Sequence, residues 1–233
     1  MVIISNKHKF IFIKTAKTAG STIETLLRPH IDKTQDICCG SFVYKDGSKI
    51  PPTVPSCNLP NDNRVEAHMS CKDVYDVFFN GAKPKDYFVF TVERNSYDKS
   101  VSHYYWHCRQ KMLDKGRKID PRKFEDYLQD IYDTKCDMPS CWHRYTIGNK
   151  IAVDKIYQYD NLDTIFKDLN NMYGLNIDLD QLKTTKVKSS NRPGKAVKSY
   201  YEKGRLSYRK KHPMKIVKWM CRREIKYFNY EIT

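Results

Sequence analysis

The 233-residue chain contains no apolar run long enough to span a bilayer. Its opening, MVIISNKHKF, leads straight into a strand pattern and has none of the sequence regions of a secretory leader. A cytoplasmic protein with reduced thiols is therefore expected. Eight cysteines are present, yet adjacent Cys38 and Cys39 and a weak Cys136-x4-Cys141 spacing supply no disulfide framework. No G-x-x-x-x-G-K-[ST] run occurs, which argues against a Walker-type loop for a magnesium-bound nucleotide. Repeats are absent, so one domain over residues 1–233 is the default expectation. Acidic residues are scarce only at one end. Residues 181–233 hold 16 Lys/Arg against 3 Asp/Glu, whereas the first 180 hold 26 against 24. That basic quarter suits a polyanion or a membrane surface, and equally a solvated helical face.

Two segments carry a strand, a polar turn and a helix in sequence. In the first, KFIFI (Lys9 to Ile13) reads as a buried strand. The chain then turns through Lys14, Thr15, Ala16, Lys17, Thr18, Ala19 and Gly20. Ser21 or Thr22 is positioned to cap a helix whose inner face holds Ile23, Leu26 and Leu27. In the second, YFVFTV (Tyr87 to Val92) reads as a strand, Arg94 stands at its end, and Ser102 follows about two helical turns on. Loop N–H groups, a helix N-terminus and a nearby cation are how proteins hold phosphate. A capped helix beside a solvated Lys17, and an Arg94 paired with Asp98 or Glu93, are the plainer readings of the same residues. Strands separated by helices predict an α/β fold with a central parallel sheet flanked by helices, and ligands outside the strand carboxyl ends.

Together the segments resemble the PAPS-dependent sulfotransferases, in particular the carbohydrate O-sulfotransferase branch that includes the heparan sulfate 2-O enzymes. AKTAGST (Ala16 to Thr22) is similar to that family's 5′-phosphosulfate loop, with Ala16 in place of Pro. RNSYDKSVSHYY (Arg94 to Tyr105) is similar to its 3′-phosphate element, with Ser96 replacing Pro and Lys99 replacing Arg. KIYQYDNLDTIFKDLNNMYGL and VKWMCRREIKYFNY resemble later segments of the family in the same order. The resemblance implies a P-loop-like sulfotransferase fold with PAPS as co-substrate, adenosine 3′,5′-bisphosphate as product and no metal. It implies that Lys17, Thr18, Ala19, Gly20, Ser21 and Thr22 hold the phosphosulfate, and that Arg94 and Ser102 hold the 3′-phosphate. Arg192 and Lys195, in the basic loop KSSNRPGK, fall where the family closes a loop over the nucleotide. Animal relatives carry a Golgi anchor, so a Golgi lumen is the expectation only for a trimmed chain.

Sulfuryl transfer needs charge stabilisation at the leaving phosphate and a base for the acceptor proton. Lys17 is the candidate for the first task. For the second, AHMS (Ala67 to Ser70) is similar to the family's Gly-His-x-[ST] setting and nominates His68, with Glu66 orienting the ring or acting instead. Ser70 and Asp73 form an S-x-x-D signature opening a helix. His103 and His107 have a metal-compatible spacing but no evident third ligand, and helix packing explains them better. Residues 32–64 lack periodicity and read as an excursion contributing to an acceptor cleft. The expected acceptor is a hydroxyl compound, a glycan first, with no nucleic acid required. An ATP-dependent kinase and a non-catalytic polyanion-binding protein are the alternatives.

Overall fold

The computed structural model describes residues 2–38, 42–43, 49–50, 57–62, 64–66, 68–115, 123–135, 139–184, 192–202 and 211–232. In chain order the elements are β1 (Ile3–Ser5), β2 (Phe10–Ile13), α1 (Gly20–Leu27), β3 (Ile37–Cys38), β4 (Phe42–Val43), β5 (Lys49–Ile50), α2 (Cys71–Phe78), β6 (Phe88–Glu93) and α3 (Ser96–Lys115). They continue as α4 (Phe124–Asp133), β7 (Thr146–Ile147), β8 (Lys150–Ile151), β9 (Lys155–Gln158), α5 (Asp163–Tyr173), α6 (Asp180–Thr184), α7 (Pro213–Met220) and α8 (Arg222–Phe228). The chain forms two compact units, one from residues 1–93 and 143–187, the other from 94–142 and 188–233.

The first unit is built on a five-stranded sheet of order β3-β1-β2-β6-β9. The sheet is mixed, which corrects the expectation of a parallel one. β2, β6 and β9 run parallel, with Ile13 opposite Thr91 and Glu93 opposite Gln158. β1 and β3 run antiparallel to their neighbours. The reason is chain length: only residues 6–9 separate β1 from β2, enough for a hairpin and far too few for a parallel crossover. Lys9, with φ 57°, lies in the left-handed region at the end of that turn. All four side chains of β2 are fully buried, as a strand covered on both faces requires. Ile23, Leu26 and Leu27 of α1 and Ile165, Phe166 and Leu169 of α5 share one core with Phe10, Phe12 and Phe90. Gly174 ends α5 in the left-handed conformation that favours glycine at this position.

The 32–64 excursion has more order at its described ends than its composition suggested. Asp36 is fully buried and accepts from Ser5 Oγ (3.2 Å), Lys7 N (3.1 Å) and Asp32 N (2.9 Å). The following β3 is only two residues long, too short for periodicity to reveal. Much of the remaining excursion, and the acceptor-cleft expectation with it, lies outside the described residues.

In the second unit α3, α4 and α7 enclose a core of Tyr97, Val101, Phe124, Tyr127, Leu128, Ile216, Val217 and Tyr201. The closing helical segment breaks at Cys221 (φ −105°, ψ 26°) into α7 and α8. The carboxylate of Glu224, fully buried, accepts from Ser140 Oγ (2.6 Å), Cys141 N (2.9 Å) and Trp142 N (3.1 Å), tying α8 to that turn.

Candidate functional site

The first candidate site is the loop from Lys14 to Ala19, at the carboxyl end of β2. Its backbone is unusual: Lys17 (φ 63°) and Ala19 (φ 61°) both lie in the left-handed region and flank Thr18. Neither is glycine, so each costs about 1–2 kcal/mol, a strain that must be held by its surroundings. Thr15 supplies part of that support, its hydroxyl donating to the Val92 carbonyl of β6. Thr18 is turned inward, fully buried, with its hydroxyl 2.9 Å from that of Thr15 and 3.1 Å from the Thr15 carbonyl. Its hydroxyl is thus used within the loop, and what it offers a ligand is its backbone.

The cap differs from expectation. Ala19 is the N-cap of α1 and has no side chain to serve it, while Ser21 and Thr22 lie inside the first turn. The amides of Thr22 and Ile23 bond back to the Ala19 carbonyl at 2.9 and 3.1 Å. The left-handed Ala19 starts the helix two to three residues earlier than a cap at Ser21 or Thr22 would, and α1 begins without a side-chain cap at its positive end.

Beneath the loop lies a pair that the sequence reading did not single out. Lys14 Nζ is 2.7 Å from Glu24 Oε1, and their side chains are 11% and 3% exposed. Glu24 shares the inner face of α1 with Ile23 and Leu27, the one signal that could have flagged it. The stem of Lys14 crosses Gly20 so closely that an added Cβ would sit 2.6 Å from its Cε and 2.8 Å from its Cγ. Glycine is required here by close approach. Gly20→Ala is expected to destabilise the protein by about 1–3 kcal/mol. In a Lys14→Ala background most of that penalty should vanish, as urea unfolding of the four proteins in the cycle would show.

His68 is attached to the same loop. Its Nδ1 lies 3.2 Å from the Lys14 carbonyl, a contact that assigns the ring proton to Nδ1 and leaves Nε2 as the acceptor. Burial, aided by the Lys14 and Arg144 charges, lowers its pKa to about 3, so the ring is neutral at pH 7. Glu66 is bonded instead to Arg144 (Nη1 to Oε1, 3.0 Å), and Arg144 Nη1 also donates to the His68 carbonyl. Arg144 is far from His68 in the chain, and no local pattern pointed to it. The S-x-x-D signature is a capping box: Ser70 Oγ accepts from Asp73 N and Asp73 Oδ2 from Ser70 N, both at 3.1 Å. It holds His68 just ahead of a fixed helix start. A cavity of about 230 Å³ lined by Lys7, His8, His30 and Asp32 lies at the other end of β2.

The second candidate site belongs to the other unit. Arg94 Nε lies 2.5 Å from Asp98 Oδ2, and Arg192 Nη1 is bonded to Asp98 Oδ1. One carboxylate is thus shared by two guanidinium groups at the start of α3. The pairing of Arg94 with Asp98 fits the plainer sequence reading, but the second arginine was not foreseen in it. Asp98, Ser102 and Tyr105 recur at i, i+4 and i+7 on α3, so Ser102 lies on the face that carries the pair. Tyr105 and Tyr200 hydroxyls are 2.7 Å apart. Lys195 is exposed, and Lys188 to Asn191 of the basic loop lie outside the described residues. His103 is a packing residue, its ring against Trp106 and Tyr127 and its Nδ1 bonded to the Tyr127 hydroxyl. Among the described residues no group of three His, Cys, Asp or Glu side chains could hold a metal ion. None of the described helices is long and apolar enough to cross a membrane.

The class defined by these observations is an α/β protein with a strained, positively charged loop at a strand end. No protein-family model, curated protein or solved structure matches the chain.

Proposed function

We propose that this chain is a PAPS-dependent sulfotransferase, with the P-loop-like variant of the α/β fold that such enzymes use. It moves a sulfuryl group to an acceptor hydroxyl, a carbohydrate hydroxyl first. The observation that carries the reading is the Lys14–Ala19 loop: two left-handed residues, one of them Lys17, and a helix start with no side-chain cap. Such a turn offers successive backbone N–H groups to an anion, and the α1 dipole favours negative charge there. In this reading Lys17 neutralises the charge that develops on the leaving phosphate. Thr18, Ala19, Gly20, Ser21 and Thr22 contribute through the loop and first helical turn. Arg94 and Ser102 take the 3′-phosphate, with Arg192 and Lys195 as further nucleotide contacts.

The reaction is an in-line displacement. The acceptor oxygen forms a bond to sulfur as the sulfur–oxygen bond to the 5′-phosphate breaks, releasing adenosine 3′,5′-bisphosphate. The acceptor proton passes to Nε2 of His68. The Lys14 carbonyl keeps the other ring nitrogen protonated, so Nε2 carries the lone pair. Burial keeps the ring neutral and ready, while making it a weaker proton acceptor than an exposed histidine.

Adenosine 3′,5′-bisphosphate at a hundred times its Kd is expected to stabilise the protein by about 2.7 kcal/mol, read as a rise in Tm. ATP and AMP should have much smaller effects. Equal shifts with all three would remove the two-phosphate reading and restore the kinase alternative.

One observation favours a non-catalytic polyanion-binding role. Lys215, Lys218, Arg222, Arg223 and Lys226 are exposed on α7 and α8 beside Trp219 (46% exposed) and Tyr227 (55% exposed). Binding to a polyanion with no bisphosphate-induced shift would select that role.

A further inference from the structure

We propose that Cys38 and Cys57 form a redox-active dithiol, a modification site that takes a low-molecular-weight disulfide as its oxidant. The two residues face each other across an antiparallel bridge. Cys38 N donates to Cys57 O at 3.3 Å and Cys57 N to Cys38 O at 3.1 Å. A pair that exchanges both backbone bonds has its Cα atoms about 5.5 Å apart, inside the roughly 4.4–6.8 Å span that a disulfide bridges. Both thiols are free in this structure.

The backbone around the pair is held independently of any bond between the sulfurs. Cys38 belongs to β3 and pairs with Ile3 of β1. Asn58, next to Cys57, donates from Nδ2 to the Asp36 carbonyl at 2.7 Å, and Cys57 Sγ donates to the same carbonyl at 3.3 Å. Asp36 is itself anchored to Ser5 and Lys7. Oxidation therefore joins two groups already opposed. The other described cysteines, Cys71, Cys141 and Cys221, are buried and in no disulfide, and burial pushes Cys71 up to about 12.

Accessibility orders the two steps. Cys38 is fully buried, and burial together with the adjacent Cys57 thiol raises its pKa well above the ordinary thiol range. Cys57 is half-buried, so it meets the reagent first. Its thiolate attacks one sulfur of the small disulfide, forming a mixed disulfide and releasing one thiol. Cys38 then gives up its proton and attacks the Cys57 sulfur, which forms the Cys38–Cys57 bond and releases the second thiol. Two protein thiols lose two electrons and two protons, and one small disulfide becomes two thiols. The product ties the outer edge of the sheet to residue 57 and closes a ring through residues 39–56.

The full-length chain, equilibrated in oxidised and reduced glutathione and quenched by alkylation, tests the proposal by peptide mass mapping. The expected product is a Cys38–Cys57 cross-linked peptide that reductant reverses. It should be accompanied by a Tm rise of roughly 5–10 °C from ring closure. Cys39→Ser should retain the cross-link, and Cys57→Ser should lose it together with the Tm rise. Cys38→Val should instead stop at a glutathione adduct on Cys57. A stable glutathione adduct on Cys57 in the unaltered chain, or a Cys39–Cys57 link, would overturn the assignment.

Discussion

Glu24→Ala is expected to destabilise the protein by about 3–5 kcal/mol, because it strands the Lys14 ammonium beneath the loop without its partner. For a chain of this size that is a fall in Tm on the order of 10 °C. The pair is nearly dry, so removing one charge and removing both are different experiments. Lys14→Met with Glu24→Leu replaces the pair by apolar groups of similar length and should recover most of the loss. Urea unfolding of the single and double variants separates the two terms. Similar losses in single and double variants would mean that the site depends on the ion pair itself. The effect reaches function through geometry. The Lys14 stem covers Gly20 and its carbonyl holds His68, so a displaced Lys14 disturbs both the helix start and the imidazole.

The second large effect concerns His68. If the chain is the proposed sulfotransferase, His68→Ala is expected to lower sulfuryl transfer by roughly 10²–10⁴-fold, the usual contribution of a positioned base, while leaving adenosine 3′,5′-bisphosphate binding within about twofold. Activity that survives the change would move the base assignment to Glu66. The same residue has a pH signature that needs no acceptor. Its native pKa is depressed to about 3 from the ordinary 6.5, so the unfolded chain binds a proton over that interval and the native chain does not. The stabilising contribution is complete above pH 6.5 and is lost as pH falls toward 3. Urea midpoints measured at pH 7 and pH 4 should therefore fall further for the native sequence than for His68→Asn. Equal falls would show that the ring is not buried as neutral imidazole.

How much was legible follows from the range of each interaction. The two strand–turn–helix segments were readable because FIFI and FVFTV are runs of aromatic and β-branched residues and the turn residues follow closely. The capping box at Ser70 and Asp73 was readable because both partners lie within four residues. β1 was read as a lead-in because three residues give no pattern of their own. The parallel expectation failed for the same reason, since the hairpin at residues 6–9 had not been recognised. The α1 cap was misplaced because Ser21 and Thr22 are good capping residues, and only a left-handed Ala19 lets the helix start before them. Arg94 was legible only as a candidate phosphate ligand, because its partner Asp98 is shared with Arg192, almost a hundred residues further along the chain.

By itself the sequence determined an α/β chain with two polar turns after buried strands, a helix opened at Ser70 and a basic final quarter. These properties are local, set by apolar periodicity, turn residues and composition. Tertiary structure alone decided that the sheet is mixed, that Lys14 and Glu24 form a buried pair and that His68 is held by the Lys14 carbonyl. It also decided that Cys38 faces Cys57. Each of these depends on where the backbone turns and which distant segment it meets. At Lys17 and Ala19 it turns left-handed at residues whose type signals nothing of the kind.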